Sequence, residues 1–227
     1  MNLVFKGKVK DYELKKVKKS KRKLQIVVLG SSKAICSKLA YNLAFEVGVE
    51  LAKSKVTTVS GGGHGVMEAA MKGAKSKGGT TMAILPWESM KRVNDYADFV
   101  VATGIGWSRN SININSADGC IVVHGGAGTL NEATYAYMMN KPTVALSSSG
   151  GVAFEIAGKF FDERETETMV DATTPKDAVN KVLNLIKEHE KKFPKPTDMD
   201  MALKDTEEYE NTNLKKHVKI KDAKNKS

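Results

Sequence analysis

The sequence predicts an α/β fold built on one parallel sheet, and three observations predict it. Short apolar runs rich in Val and Ile recur along residues 24–186, each ends at Gly, Ser or another turn-forming segment, and stretches of helical periodicity separate them. Runs that are continuously apolar, rather than alternating, belong to strands covered on both faces, as parallel strands flanked by helices are. The expected strands are 24–29, 56–59, 81–85, 99–102, 120–123 and 143–146; the expected helices are 34–53, 65–78, 108–117, 129–140, 151–159 and 175–191. Strand alternating with helix in this way gives a Rossmann-like, doubly wound parallel sheet. The expected organisation is a single domain over 24–186, preceded by a basic N-terminal arm (1–23) and followed by a polar, charged C-terminal extension (187–227).

Composition bounds the rest. A chain of 227 residues, 41% hydrophobic and 27% charged, suits one α/β-sized domain with extensions and argues against tandem catalytic domains or a wholly disordered chain. Its apolar runs fall far short of the ~20 residues that cross a bilayer, so no membrane partner is expected. The first residues lack the apolar run of a secretory signal and there are only two cysteines, Cys36 and Cys120, so a reducing, cytoplasmic location is expected. The formal charge of +10 invites a nucleic-acid reading. Its distribution argues against one: residues 1–23 carry +8, residues 24–186 are neutral, and residues 187–227 carry +2. Such an arm is usually solvated, and no zinc-ligand spacing or aromatic-and-basic pattern accompanies it.

The chemistry is expected in the turns. Gly30-Ser31-Ser32, Ser60 to Gly65, and Gly125-Gly126-Ala127-Gly128-Thr129 each join a strand end to a helix start, and Ser147 to Gly151 follows the last expected strand. Without a Cβ, backbone N–H groups can close around an anion, and a helix N-terminus adds partial positive charge. In an open α/β sheet these turns gather at the carboxyl edge, at the switch in strand order. Each alone also fits tight βα packing; together they point to a phosphate-bearing ligand. No Gly-Lys-Ser/Thr of a Walker A loop occurs, nor a full Gly-x-Gly-x-x-Gly fingerprint with its later acid.

The segment His124-Gly125-Gly126-Ala127-Gly128-Thr129-Leu130-Asn131-Glu132 resembles the Pro-Gly-Gly-x-Gly-Thr-x-x-Glu signature of the LOG ("Lonely Guy") family, formerly mislabelled lysine decarboxylases. The likeness covers about residues 24–186. Arg109, 23 residues before Glu132, is similar in spacing to that family's catalytic Arg and Glu. The signature's opening Pro is His124 here, and Gly106-Trp107-Ser108-Arg109-Asn110 replaces the family's Met-His-x-Arg-Lys. Residues 62–70, Arg109-Asn110 and 150–153 look closer to a sister branch that includes a molybdenum cofactor carrier.

The leading expectation, implied by the LOG resemblance and favoured because both catalytic residue types are present, is hydrolysis of the N-glycosidic bond of a nucleoside 5′-monophosphate to free base and ribose 5-phosphate. The alternative, implied by the sister branch, is a non-catalytic nucleotide or molybdenum cofactor (pterin) carrier. Arg109 and Glu132 are the expected catalytic pair: a carboxylate can stabilise charge developing on the ribose, and a guanidinium can hold a phosphate or orient that carboxylate. Gly30, Ser31, Ser32, Gly62, Gly63, Gly65, Asn110, Gly125, Gly126, Gly128 and Thr129 are the expected nucleotide- and phosphate-binding residues. No metal or resident cofactor is required, the molybdenum cofactor being a possible carried ligand, and the resemblance implies a homodimer.

Plainer readings stand beside these. Thr129-x-x-Glu132 fits a helix capping box, Arg109 fits a surface arginine, and His64 and His124 fit either a ligand contact or a loop position. Met67, Met71, Met82, Met138 and Met139 read as packing residues. A pyridoxal phosphate decarboxylase is set aside, because neither Lys33 nor Lys141 sits in a recognisable cofactor motif.

Overall fold

The structure, a computed structural model, describes residues 22–163, 165 and 168–192. Most of the expected basic arm, and the extension beyond residue 192, lie outside the described residues. The strands are β1 (Gln25–Gly30), β2 (Thr57–Ser60), β3 (Thr80–Leu85), β4 (Phe99–Ala102), β5 (Gly119–Val123), β6 (Thr143–Leu146) and β7 (Val170–Ala172). The helices are α1 (Lys38–Lys53), α2 (Val66–Ser76), α3 (Arg109–Asn115), α4 (Ala127–Met138), α5 (Gly151–Ile156) and α6 (Pro175–Lys192). The strands form one parallel sheet in the order β4-β3-β2-β1-β5-β6-β7 with helices on both faces, the Rossmann-like α/β fold expected from sequence.

The β1 side chains show why the apolar runs do not alternate. Ile26 and Val28 pack against α1, α2 and α6 on one face; Val27 and Leu29 pack against α3, α4 and α5 on the other. All four are buried, and each such burial contributes about 1.5–3 kcal/mol. The chain builds outward from β1 through β2 to β4, then returns to lay β5 on the other side of β1, with Gly30 opposite Val123. The strand order therefore reverses between β1 and β5, and their carboxyl ends flank a crevice.

Local chemistry shifts several helix ends from their expected places. α1 begins at Lys38, four residues late, because Ser37 caps it by accepting a hydrogen bond from the Ala40 N–H at 3.1 Å. α4 begins two residues early, at Ala127, with Gly126 as its N-cap. β7 was not expected: Val-Asp-Ala is too short and too mixed to read as a strand, and its place is set by pairing with β6, Val144 opposite Val170. Met71 is fully buried, whereas Met138 and Met139, expected in the core, are exposed at the end of α4. No described helix is long and apolar enough to cross a membrane.

Two glycines set the distance between α1 and α2. A Cβ on Gly48 would overlap the Ala70 carbonyl, and one on Gly73 would overlap the Phe45 carbonyl. Helix propensity alone favours Ala over Gly by about 1 kcal/mol. Gly73→Ala is nevertheless expected to lower stability by about 1–3 kcal/mol, because two backbones must separate. Urea unfolding followed by circular dichroism checks this; an unchanged or raised midpoint contradicts it.

Candidate functional site

At the strand-order reversal the turn after β1, the end of β2, the start of α3 and the first turns of α4 enclose a cavity of about 160 Å3. Its lining includes Gly30, Ser31, Ser32, Arg109, Asn110, Gly126, Gly128, Thr129 and Glu132, nine of the thirteen expected site residues. Gly62, Gly63, Gly65 and Gly125 do not line it. The carbonyls of Gly62 and Gly63 accept hydrogen bonds from the buried Asn94 side chain at 3.1 and 3.0 Å. Gly65 bridges to Ser32, where a Cβ would press on the Ser31 carbonyl at 2.6 Å. Gly125 lies behind the Thr129 side chain and accepts from the Val152 N–H at 3.3 Å. These four shape the loops that frame the cavity.

Arg109 opens α3, and Asn113, one turn later, shares its face. α3 packs on α4 so that this face meets Asn131 and Glu132. Asn113 Nδ2 donates to Glu132 Oε1 at 2.7 Å, Arg109 Nη1 stands 3.7 Å from the same oxygen, and Asn110 Nδ2 donates to Asn131 Oδ1 at 2.9 Å. Both members of the ion pair are buried. Burial pushes the Glu132 carboxyl up to about 7, against the opposing pull of Asn113 and Arg109; burial likewise lowers the Arg109 value, which Glu132 partly restores. Gly61, at the end of β2, leaves the guanidinium its space: a Cβ there would lie 2.5 Å from Nη1.

Two buried polar atoms of the lining, Arg109 Nε and Ser31 Oγ, have no hydrogen-bond partner among the described residues, and no side chain caps α4. The capping-box reading of Glu132 fails, because with Gly126 as N-cap Thr129 is already the third helical residue and Glu132 is beyond reach of the cap. The surface reading of Arg109 fails on its burial. His64 does not line the cavity; its Nδ1 lies 3.0 Å from Glu68 Oε2. His124 is also outside it, adopts a left-handed φ of 56°, and donates its backbone N–H to Ser149 Oγ at 2.6 Å. Among the described residues no three His, Cys, Asp or Glu side chains cluster as a metal site would need.

Sequence reasoning put Gly61 and Ala127 in the ligand-facing turns without naming them as site residues, and did not single out Val28, Leu29, Ile35, Met67 or Trp107 in the lining, or Asn113 behind it. For Asn113 a signal existed in its i, i+4 spacing from Arg109; for Gly61 the turn was legible, but its clearance for the Arg109 guanidinium is a tertiary approach with no local trace.

This is an α/β protein of the Rossmann-like class with its crevice at the reversal of strand order. The chain belongs to the SLOG cluster4 family, whose model matches residues 23–179. It is 42% identical over 123 residues to an uncharacterized protein of Archaeoglobus fulgidus, covering 54% of this chain and 80% of that one. It is 38% identical over 93 residues to the cytokinin riboside 5′-monophosphate phosphoribohydrolase of Mycobacterium tuberculosis, covering 40% of this chain and only 50% of that relative. Among solved structures it resembles the molybdenum cofactor binding protein of Rippkaea orientalis (TM-score 0.66, 30% identity), covering 74% of this chain and 99% of that one. It also resembles the molybdenum cofactor carrier protein of Chlamydomonas reinhardtii (TM-score 0.63, 32% identity, 73% and 99% covered). The resemblance to the LOG and molybdenum cofactor carrier-like superfamily is thus supported from both sides.

The raised Glu132 value carries a stability consequence. A carboxyl whose folded pKa lies above its unfolded value of about 4.3 favours folding most when protonated, so its contribution falls as pH rises from about 4.3 to about 7. Glu132→Gln keeps a neutral acceptor for Asn113. Its stability relative to the parent is expected to grow over that range, by up to about 3 kcal/mol at pH 8. Urea unfolding at pH 5, 6.5 and 8 measures the trend, and a gap independent of pH contradicts it.

Proposed function

We propose that the cavity binds the phosphate end of a nucleotide or pterin nucleotide, and that the chain acts chiefly as a binding or carrier protein for that ligand. The observation that carries this reading is the pair of buried, unpartnered donors, Arg109 Nε and Ser31 Oγ, in a cavity that also receives the uncapped start of α4. Unmet buried polar groups are costly; a phosphate satisfies donors of this kind, and a helix N-terminus favours its charge. A protonated Glu132 lets an anion approach Arg109 without repulsion. The likeness to cofactor carriers over 99% of their length supports the emphasis on binding.

Hydrolysis is the second reading, favoured by the 3.7 Å approach of Arg109 to Glu132 inside the cavity. In that reaction the C1′–N bond of a nucleoside monophosphate breaks and its electron pair leaves with the base. Water adds at C1′ and gives up a proton, yielding ribose 5-phosphate, and the departing base takes up a proton to leave as the free base. Glu132 in its ionised form accepts that proton or stabilises the cationic ring, with Arg109 holding the phosphate.

One experiment separates the readings: purified protein with a panel of nucleoside 5′-monophosphates, scored by calorimetry for binding and by chromatography for free base. Binding without base release is the expected result. Base release that Glu132→Gln abolishes, with binding retained, establishes hydrolysis instead. Arg109→Ala is expected to weaken binding at least about thirty-fold, with Arg109→Lys recovering only part. Full affinity in Arg109→Ala contradicts the phosphate site.

Binding is also expected to weaken as pH rises through about 7, because ionised Glu132 competes with the ligand for Arg109. Titration of adenosine 5′-monophosphate from pH 6 to pH 8.5 measures this. Glu132→Gln isolates the ligand's own second phosphate ionisation near pH 6, and identical pH profiles in the two proteins contradict the coupling.

A further inference from the structure

The strongest feature of the cavity that phosphate binding leaves unused is its aromatic rim. Trp107 lines the cavity together with Arg109, yet is 79% exposed, the most exposed of the large hydrophobic side chains described. A tryptophan can bury on the order of 150–250 Å2, so leaving one in water forgoes a large apolar gain. The other tryptophan, Trp87, carries the Arg92 guanidinium 5.7 Å above its ring; Trp107 has no ring or cation partner among the described residues. Its backbone is held all the same. The Gly106 N–H donates to the Pro86 carbonyl at 3.0 Å, Ser111 Oγ donates to the Ser108 carbonyl at 2.9 Å, and α3 begins two residues later with the buried Arg109. An indole on a fixed backbone is therefore presented beside the anion-binding groups. Ile35, 53% exposed and lying over Gly126, adds a second apolar surface to the same cavity.

We propose that Trp107 is a stacking platform for the planar heterocycle of the ligand, so that the cavity selects base- or pterin-bearing phosphates over the bare sugar phosphate. This rests on the phosphate-binding reading and deepens it. Stacking suits this position because any flat π-system accepts it without a particular hydrogen-bond pattern, while the anion fixes the other end of the ligand. The selectivity then lies in shape and aromaticity rather than in the identity of one base.

The test uses the full chain, in parent and Trp87→Phe backgrounds, with adenosine 5′-monophosphate and ribose 5-phosphate as probes read within the mixing time. In the Trp87→Phe protein the nucleotide is expected to quench the fluorescence of Trp107, and ribose 5-phosphate to bind with little quenching. Trp107→Ala is expected to weaken the nucleotide about ten-fold or more while leaving ribose 5-phosphate within about two-fold, and Trp107→Phe to retain most of the affinity. A Trp107→Ala protein that binds both probes like the parent, loses both alike, or falls apart from an oligomer that the parent forms overturns the platform. So does a parent that prefers ribose 5-phosphate to the nucleotide. A parent that binds neither probe overturns the phosphate site itself, an outcome distinct from the others.

Discussion

The cavity depends on a guanidinium and a carboxyl being buried side by side. Taking two charges out of water costs several kcal/mol each, which their attraction repays only when geometry and neighbouring hydrogen bonds are good. Here the compensation is incomplete: Glu132 Oε1 receives Asn113, but Arg109 reaches it only at 3.7 Å and keeps Nε unpartnered. The protein relieves part of the cost by letting Glu132 take up a proton near neutral pH. In the proposed binding role, an anion would relieve more of it by completing the donor set of Arg109. The same incompleteness that weakens the pair as a structural element leaves it donor capacity that a ligand could use.

That pair is placed by topology rather than by one loop. Reversal of strand order between β1 and β5 opens the sheet's carboxyl edge where the turn after β1 and the start of α4 meet. α3 is supplied by the return path from the β4 side, and its packing on α4 carries Arg109 and Asn113 to Glu132. Gly61 then matters through clearance, since any side chain there would occupy the guanidinium's position. Strand order, helix packing and one missing Cβ thus act on the same few ångströms.

How much of this was legible in the sequence follows from the range of each signal. β1, β2, β5 and β6 were readable because a strand covered on both faces has no polar alternation, so Ile26 to Leu29 announces itself without any partner, whereas β4, at the sheet edge, was readable from its apolar run although Phe99 and Val101 are exposed. β7 was not, because Val170, Asp171 and Ala172 take their strand geometry from pairing with β6. Arg109 and Glu132 were legible as a spaced pair of charged residues, but the role of Asn113 needed the contact between α3 and α4. The glycine-rich turns divide in a definable way. Gly62, Gly63 and Gly65 look as suited to an anion as Gly126 and Gly128, yet they do not line the cavity, the carbonyls of Gly62 and Gly63 accept from Asn94, and Gly65 bridges to Ser32. A glycine-rich turn reports a close approach; whether the approaching group is ligand or protein is decided by what else packs there.

The relatives divide over chemistry while sharing a scaffold, and the site suggests why such a division is easy. Glycosidic cleavage asks for a carboxylate that is ionised when the ribose ring gains positive charge, whereas holding an anion asks for a carboxyl that does not repel it. Glu132, poised near 7 by burial against Asn113 and Arg109, stands between the two demands. A change in its hydration or in the Asn113 hydrogen bond would shift that value while leaving the fold, the turns around the cavity and the Arg109 position as they are. In this chain the burial of Glu132 therefore bears on which of the two demands the site meets, beside the presence of the Arg–Glu pair itself.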